Sequence, residues 1–159
     1  MEKSNIHEKI KLLTGNGMWH TQETEDLPSV HLSDGPHGLR KQEEKERQNN
    51  VSLVSTCYPT ASALACSWDV TAAERLGRAV AKEAWNADVA VLLGPGINMK
   101  RSPLCGRNFE YFSEDPFMAG RLGAAYVSAA QGEDVAVSLK HFAANNQETN
   151  RQTSNSQID

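Results

Sequence analysis

The chain has 159 residues, enough for one ordinary globular domain. Hydrophobic residues make up 39% of the chain and charged residues 23%, a balance that is typical of globular proteins and excludes long disorder. The 16 Lys and Arg residues against 20 Asp and Glu residues give a net charge of -4, which argues against a protein that binds the phosphate backbone. We therefore expect no nucleic-acid partner.

The sequence also argues against a membrane protein and a disulfide-rich protein. No stretch approaches the roughly 18 apolar residues of a transmembrane helix, and residues 1–20 carry charges where a secretory signal would be apolar. Cys57, Cys66 and Cys105 form no CxxC pair, so reduced thiols and no zinc site are expected. These features predict a cytoplasmic protein without a membrane partner, and a Cys57–Cys66 disulfide is the alternative in an oxidising compartment.

An amphipathic helix is the first predicted element. Ile6, Ile10 and Leu13 recur at the spacing i, i+4 and i+7, which places them on one face of a helix. Ser4 precedes them as a candidate N-cap, and Gly15 follows as a stop signal. The segment therefore predicts a helix with one apolar face.

Three strands and two long helices alternate along the rest of the chain. The strands are predicted at 30–33, 89–93 and 135–139, and the helices at 69–86 and 115–130. Asp69 and Asp115 are candidate N-caps, Pro116 suits the first helical position, and Gly132 stops the second helix. The charged run 41–50 predicts a solvated loop. This order is typical of an α/β protein with right-handed βαβ units and a parallel sheet.

Polar motifs follow each predicted strand. Asp34 and Arg40 follow the first strand, Arg107 lies in the loop after the second, and Lys140 and His141 end the third. Because the carboxyl ends of parallel strands share one edge of the sheet, these side chains are expected to converge there. One carboxylate among several cationic donors suits sugar hydroxyls, which both donate and accept hydrogen bonds.

Other kinds of site find little support. Neither GxxxxGK[ST] nor GxGxxG occurs, and the proline in Gly94-Pro95-Gly96 removes a backbone N–H that a phosphate cradle would use. His and Cys spacing indicates no metal cluster, and no GxSxG nucleophile elbow is present. We therefore expect no cofactor and no metal.

Each candidate residue also has a purely structural interpretation. Asp34 stands before a Gly-Pro turn, where it also fits an Asx-turn. Arg107 also fits a surface ion pair with Glu110 or Glu114, and His141 fits a structural histidine after a buried strand. Spacing alone leaves both interpretations open.

Three tryptophans are candidates for stacking on a sugar ring. Trp68 and Trp85 flank the first long helix and are expected in the core. Trp19 lies in a polar loop, so it is the better candidate for a stacking platform.

Four motifs carry a resemblance to a known family: HLSDGPHGLRKQ (31–42), CYPTASALACSWD (57–69), LLGPGINMKRSPLCGRNFEYFSEDPFMAG (92–120) and SLKHFAANNQE (138–148). In this order and at these separations they closely resemble the amino-terminal barrel domain of family 3 glycoside hydrolases, in the β-glucosidase branch. The resemblance covers nearly the whole chain. It implies that residues 1–159 are the amino-terminal portion of a TIM-type (β/α)8 barrel. The barrel would be incomplete in this chain, because three strands cannot close one.

The resemblance implies a retaining hydrolase that releases terminal β-linked glucose from a β-glucoside or a short β-glucan oligosaccharide. The family takes an aspartate nucleophile from the barrel and a glutamate acid/base from the following domain. Five residues match family positions that hold the glucose hydroxyls at the cleaved bond, namely Asp34, Arg40, Arg107, Lys140 and His141. The resemblance thus makes them binding residues and not the catalytic pair.

Two further expectations follow from the resemblance. The continuation of the KHF motif lacks the Pro- and Gly-rich segment of the family's β-N-acetylhexosaminidases, which favours the glucosidase branch. The family nucleophile lies well beyond this motif, whereas the sequence given ends 18 residues after His141. We therefore expect no catalytic residue in this chain and no hydrolysis of aryl β-glucosides by residues 1–159 alone.

Two alternative functions remain open. One is a truncated product that only binds sugar or is vestigial, and the remaining coding sequence would identify it. The other is a different specificity within the family, such as β-xylosidase or α-arabinofuranosidase, which a comparison of aryl glycosides would identify.

Overall fold

The computed structural model describes residues 6–42 and 51–158. Its helices are α1 (Ile6–Lys11), α2 (Ala61–Ala65), α3 (Val70–Asn86) and α4 (Pro116–Gln131), with a 3-10 turn at Asn108–Glu110. Its strands are β1 (Leu32–Asp34), β2 (Val91–Leu93) and β3 (Ala136–Val137). The longest described helix, α3, has 17 residues with charged side chains among them, and no described helix qualifies as a membrane span.

The sheet has the predicted topology. Its three strands are parallel in the order β1-β2-β3, with Asp34 opposite Leu93 and Val91 opposite Ala136. The long helices α3 and α4 connect successive strands, so the alternation predicted from the sequence is confirmed. The regular strands are shorter than the apolar runs that predicted them. All three carboxyl ends lie at one edge of the sheet.

The caps of the long helices explain where they begin and end. The Asp69 carboxylate accepts a hydrogen bond from the Thr71 N–H at 2.8 Å. The Asp115 carboxylate accepts from the two N–H groups at the start of α4, at 3.1 Å each, and Gly132 caps the other end. Each cap satisfies backbone groups that a helix end leaves unpaired, so the predicted N-caps and the Gly132 stop are confirmed.

Small residues bring α3 and α4 close together over the sheet. A Cβ added at Gly77 would lie 2.4 Å from the Tyr126 carbonyl oxygen, so only glycine permits this approach. Val80, Ala84 and Leu92 are fully buried in the core between the helices and the sheet. The core therefore lies on the helix-covered side of β2, and the site residues lie at the carboxyl edge of the sheet.

Several expectations for the outer residues are corrected by the structure. Trp68 is 78% exposed and Trp85 is 60% exposed, so their predicted placement in the core is wrong. Trp68 occupies the turn before α3, and Trp85 lies beside the narrow stripe of small residues that α3 buries. The structure also contains α2, whose five residues are too few for periodicity to reveal.

The first predicted helix forms, but its apolar face is not covered. It ends at Lys11, before the predicted stop at Gly15, and none of its residues is buried. Ile6 and Ile10 are exposed, and Leu13 lies beyond the last turn. Two further predictions, the Ser4 N-cap and residues 43–50 of the solvated loop, fall outside the described residues.

Candidate functional site

The five candidate residues lie at the end of a strand or in the segments that follow the three strands. Asp34 is the last residue of β1, and Arg107 lies in the loop between β2 and α4. Beyond β3, the Lys140 N–H donates to the Pro95 carbonyl at 3.1 Å, and the Lys140 carbonyl accepts from the Ile97 N–H at 2.7 Å. The segments after β2 and β3 thus remain paired, which holds Lys140 at the carboxyl edge, where its side chain reaches Asp34 at the end of β1.

Asp34 and Lys140 form an ion pair at this edge. Lys140 Nζ lies 2.6 Å from Asp34 Oδ1, and Arg40 Nη2 lies 3.8 Å from Asp34 Oδ2. Burial opposes ionisation of Asp34, but the hydrogen bond and charge of Lys140 outweigh it and lower the pKa of the carboxyl. Arg40 is 64% exposed, so it stands at the rim while Asp34 and Lys140 form the floor.

Glu110 joins Lys140 to Arg107. One carboxylate oxygen accepts from Arg107 Nε, and the other lies 3.3 Å from Lys140 Nζ. Its side chain is only 6% exposed. Burial alone would raise the pKa of Glu110, but Arg107 and Lys140 lower it, so this carboxyl is ionised.

Arg107 also fixes the tautomer of His141. Arg107 Nη2 lies 2.9 Å from His141 Nε2, and because a guanidinium can only donate, Nε2 is the acceptor. The proton of the neutral ring is therefore assigned to Nδ1, which lies 2.6 Å from the Tyr111 hydroxyl oxygen. Burial, followed by the charges of Arg107 and Lys140, lowers the pKa of His141 and favours this neutral form.

Hydrogen bonds to α2 hold the loop that carries Arg107 and Glu110. The Ser62 hydroxyl lies 2.9 Å from the Asn108 carbonyl oxygen and 3.3 Å from that of Tyr111. Lys100 Nζ donates to the same hydroxyl at 2.6 Å. The two carbonyls flank Glu110 in sequence, so Ser62 ties this part of the loop to the helix.

The two carboxylates of the cluster are poor candidates for a catalytic pair. Retaining hydrolysis needs one ionised carboxylate and one protonated carboxyl group about 5–5.5 Å apart. Asp34 and Glu110 share Lys140 as a partner, and both have a lowered pKa, so neither is held protonated as a general acid. The cluster can bind and orient a polar ligand, but it cannot supply both catalytic groups.

The structural interpretations left open by the sequence can now be compared with the contacts. The Asp34 side chain bonds Lys140, and Arg107 forms the ion pair with Glu110 that was one of its two structural alternatives, although Glu110 is buried and the pair is not at the surface. His141 has both ring nitrogens within hydrogen-bond distance of a partner. Sequence reasoning missed Glu110 as the centre of the cluster, although its place three residues after Arg107 was a usable signal.

Other candidate groups lie apart from this cluster. The indole N–H of Trp19 donates to the Gln42 side chain at 3.0 Å. The backbone carbonyl of Trp19 accepts from the Leu32 N–H, which lies at the opposite end of β1 from Asp34. The three cysteines have free thiols. Within residues 6–42 and 51–158, no three His, Cys, Asp or Glu side chains gather as metal ligands.

Comparison with known proteins places the chain in a family. The family model "Glycosyl hydrolase family 3 N terminal domain" matches residues 31–158. The chain is 48% identical to thermostable beta-glucosidase B of Acetivibrio thermocellus, covering 100% of this chain and 22% of that protein. It is 46% identical to an exo-alpha-(1->6)-L-arabinopyranosidase of Bifidobacterium longum, covering 92% of this chain and 20% of that protein.

A solved structure agrees with these relatives. Beta-glucosidase 3B from Thermotoga neapolitana, in complex with glucose, is 36% identical and superposes with a TM-score of 0.83 over 93% of this chain and 23% of that chain. The chain spans about a fifth of the length of the curated relatives named here. The predicted α/β class is confirmed, with a partial parallel sheet of the family's TIM-type barrel. The chain therefore belongs to glycosyl hydrolase family 3, in which it matches the N-terminal domain.

Proposed function

We propose that the edge formed by Asp34, Arg107, Lys140 and His141 is the glucose-binding wall of a retaining β-glucosidase. The contact between Lys140 and Asp34 carries this proposal, because it sets a donor and an acceptor 2.6 Å apart at the open end of the sheet. Neighbouring hydroxyls of a pyranose need such a pair, since one can donate to the carboxylate while the next accepts from the ammonium.

The cluster keeps hydrogen-bonding capacity for a ligand. Lys140 has three N–H donors, and its two carboxylate partners among the described residues are Asp34 and Glu110. Arg107 directs one N–H to Glu110 and one to His141, which leaves three of about five guanidinium donors for a sugar. The Asp34 side chain is 22% exposed, so its remaining lone pairs are accessible.

These residues would contribute to catalysis by binding and orientation. Interactions with the ring hydroxyls that strengthen as the ring distorts towards the transition state lower the barrier to hydrolysis. The nucleophile and the acid/base would come from outside residues 1–159, because the carboxylates of the cluster are ionised and engaged with cations. The chain alone is therefore expected to show no turnover of aryl β-glucosides above a Lys140→Ala, His141→Ala control.

A second specificity is supported by one of the relatives. The exo-alpha-(1->6)-L-arabinopyranosidase matches the chain almost as well as the beta-glucosidase does. An arabinopyranose ring lacks the hydroxymethyl group of glucose but offers the same kinds of ring hydroxyl to the cluster. The described residues would serve either sugar, so this specificity is the second candidate.

Hydrolysis by the full-length protein, expressed from the complete coding sequence that contains this chain, tests the proposal. Aryl β-D-glucopyranoside, α-L-arabinopyranoside and β-D-xylopyranoside are compared by kcat/KM, and NMR identifies the first-formed anomer. We expect the glucoside to be preferred and the β-anomer of glucose to appear first. Preference for the arabinopyranoside would support the second candidate, and absence of turnover on all three would contradict both.

A further inference from the structure

We infer that Glu110 is a positioning residue, which holds Arg107 and Lys140 in the geometry that binds sugar and does not contact the sugar itself. The inference deepens the proposed function and rests on it. It concerns a residue that comes from the loop after β2, whereas the cation Lys140 comes from the segment after β3. Glu110 therefore links the loop after β2 to the segment after β3.

The contacts of Glu110 divide evenly between the two cations. One oxygen accepts from Arg107 Nε and the other lies 3.3 Å from Lys140 Nζ. The backbone supports this arrangement, because the Glu110 N–H donates to the Arg107 carbonyl at 3.2 Å within the 3-10 turn. A single carboxylate thus sets the spacing between an ammonium group and a guanidinium group.

The charge of Glu110 is as important as its shape. Arg107 and Lys140 carry like charges in a half-buried cluster, where repulsion between cations is weakly screened. The other nearby carboxylates, Asp34 and Glu148, are more exposed than Glu110, and Arg107 Nε lies 3.9 Å from Glu148. Removing the Glu110 charge would leave the two cations without their most buried counter-ion and allow them to move apart.

Burial separates the role of Glu110 from that of Asp34. The Glu110 side chain is 6% exposed and each of its oxygens has a cationic partner. Asp34 is more exposed, and its second oxygen lies 3.8 Å from the exposed rim group Arg40. A sugar at this edge would therefore meet Asp34, Lys140 and Arg107, with Glu110 behind them.

Three variants of the full-length protein test this assignment. Glu110→Gln keeps the size of the side chain but removes its charge, and Glu110→Asp keeps the charge but is too short to reach both cations. Glu114→Gln is the matched control, since Glu114 is an exposed carboxylate four residues further along. The measurements are glucose affinity by calorimetry, kcat and KM for an aryl β-glucoside, and the thermal unfolding midpoint.

We expect Glu110→Gln to weaken glucose binding about 10- to 100-fold, which is less than removal of a directly contacting partner of a buried charge pair costs, because Glu110 acts through Arg107 and Lys140. Glu110→Asp should restore part of the affinity, and Glu114→Gln should match the wild type. In a Lys140→Ala, Arg107→Ala background, Glu110→Gln should change affinity by less than about threefold, because a residue that acts through others loses its effect when they are absent.

The possible failures are distinguishable. A wild-type protein that neither binds glucose nor hydrolyses any aryl glycoside would remove the proposed function. An active wild type with unchanged affinity in Glu110→Gln, or an equal loss in both backgrounds, would overturn the role of Glu110. If the variants do not fold, a structure of the glucose-bound wild type decides: a sugar oxygen within 3.5 Å of the Glu110 carboxylate contradicts the inference, and its absence there supports it.

Discussion

The helix layer is buried and the carboxyl edge of the sheet is partly open, and different interactions stabilise them. In the layer, α3 and α4 meet at Gly77 and Tyr126, and apolar side chains such as Val80 are fully buried. At the edge, the most buried charged side chain of the cluster is Glu110, whose carboxylate contacts two cations. The layer can therefore be expected to determine stability, and the edge to determine ligand binding.

The largest effect is expected in the layer. Leu92 is fully buried in the central strand, so Leu92→Ala should lower the free energy of unfolding by about 2–5 kcal/mol through lost contacts and a cavity. Leu104→Ala is the control, because Leu104 is 91% exposed. Denaturant unfolding measures both, and equal small losses would show that the layer does not dominate stability.

At the edge, Arg107→Lys should affect binding more than stability. A lysine cannot reach Glu110 and His141 with a planar fork and still present further donors, so glucose affinity should fall about 10- to 100-fold. Arg101→Lys, an exposed change in the same loop, should leave the glucose affinity measured by titration calorimetry unchanged. Retained affinity in Arg107→Lys would show that the fork geometry is not needed.

The protonation state of His141 gives a sharper test of the edge. Its folded-state pKa lies below the ordinary value of 6.5, because burial and then Arg107 and Lys140 favour the neutral ring. Its contribution to stability is therefore complete above pH 6.5 and is lost as pH falls through the folded-state pKa. Nitrogen NMR of the ring, assigned with His141→Gln, should show a proton on Nδ1 at pH 7. A proton on Nε2, or a pKa above 6.5, would contradict the assignment.

A smaller loss is expected from Ser62→Ala, which removes the link between α2 and the loop. The hydroxyl bonds the carbonyls on either side of Glu110, so its loss should weaken glucose binding about 3- to 10-fold through displacement of the loop. Calorimetry and kcat/KM measure the effect. Unchanged binding together with reduced stability would show that Ser62 supports only the fold.

The smallest effect is expected from Tyr126→Phe, back in the helix layer. The Tyr126 hydroxyl is buried without a hydrogen-bond partner among the described residues, so its removal should be neutral or stabilise the protein by up to about 1 kcal/mol. Tyr58→Phe is the control, because that hydroxyl lies 2.9 Å from Glu83 Oε1 and its loss should destabilise the protein. Destabilisation by Tyr126→Phe would reveal an unrecognised partner.

The same contrast explains which features the sequence could predict. The long helices were predictable because α3 and α4 repeat their apolar spacing over 17 and 16 residues and begin at Asp N-caps. The parallel sheet followed from their alternation with apolar runs. The exposure of Trp68 and Trp85 did not follow from their places beside α3, since Trp68 occupies the turn before the helix and Trp85 lies outside the face that α3 buries.

The sequence could predict which residues gather at the candidate site, but not that Glu110 lies at the centre of the cluster. Placing Asp34, Arg107 and Lys140 together needed only the rule that parallel strands end at one edge. The role of Glu110 depends on a 3-10 turn in an irregular loop, and the contact between Tyr111 and His141 joins residues 30 positions apart. The spacing of Arg107 and Glu110 signals their ion pair locally, but the contact of Glu110 with Lys140 and that of Tyr111 with His141 depend on tertiary structure and have no local signal.

A crystal structure of the full-length protein with glucose bound tests the central claim most directly. The claim predicts that glucose hydroxyl oxygens lie within about 3.2 Å of both the Asp34 carboxylate and Lys140 Nζ, with the sugar held at the open edge of the sheet. Glucose bound elsewhere, with Asp34 and Lys140 paired only to each other, would contradict it.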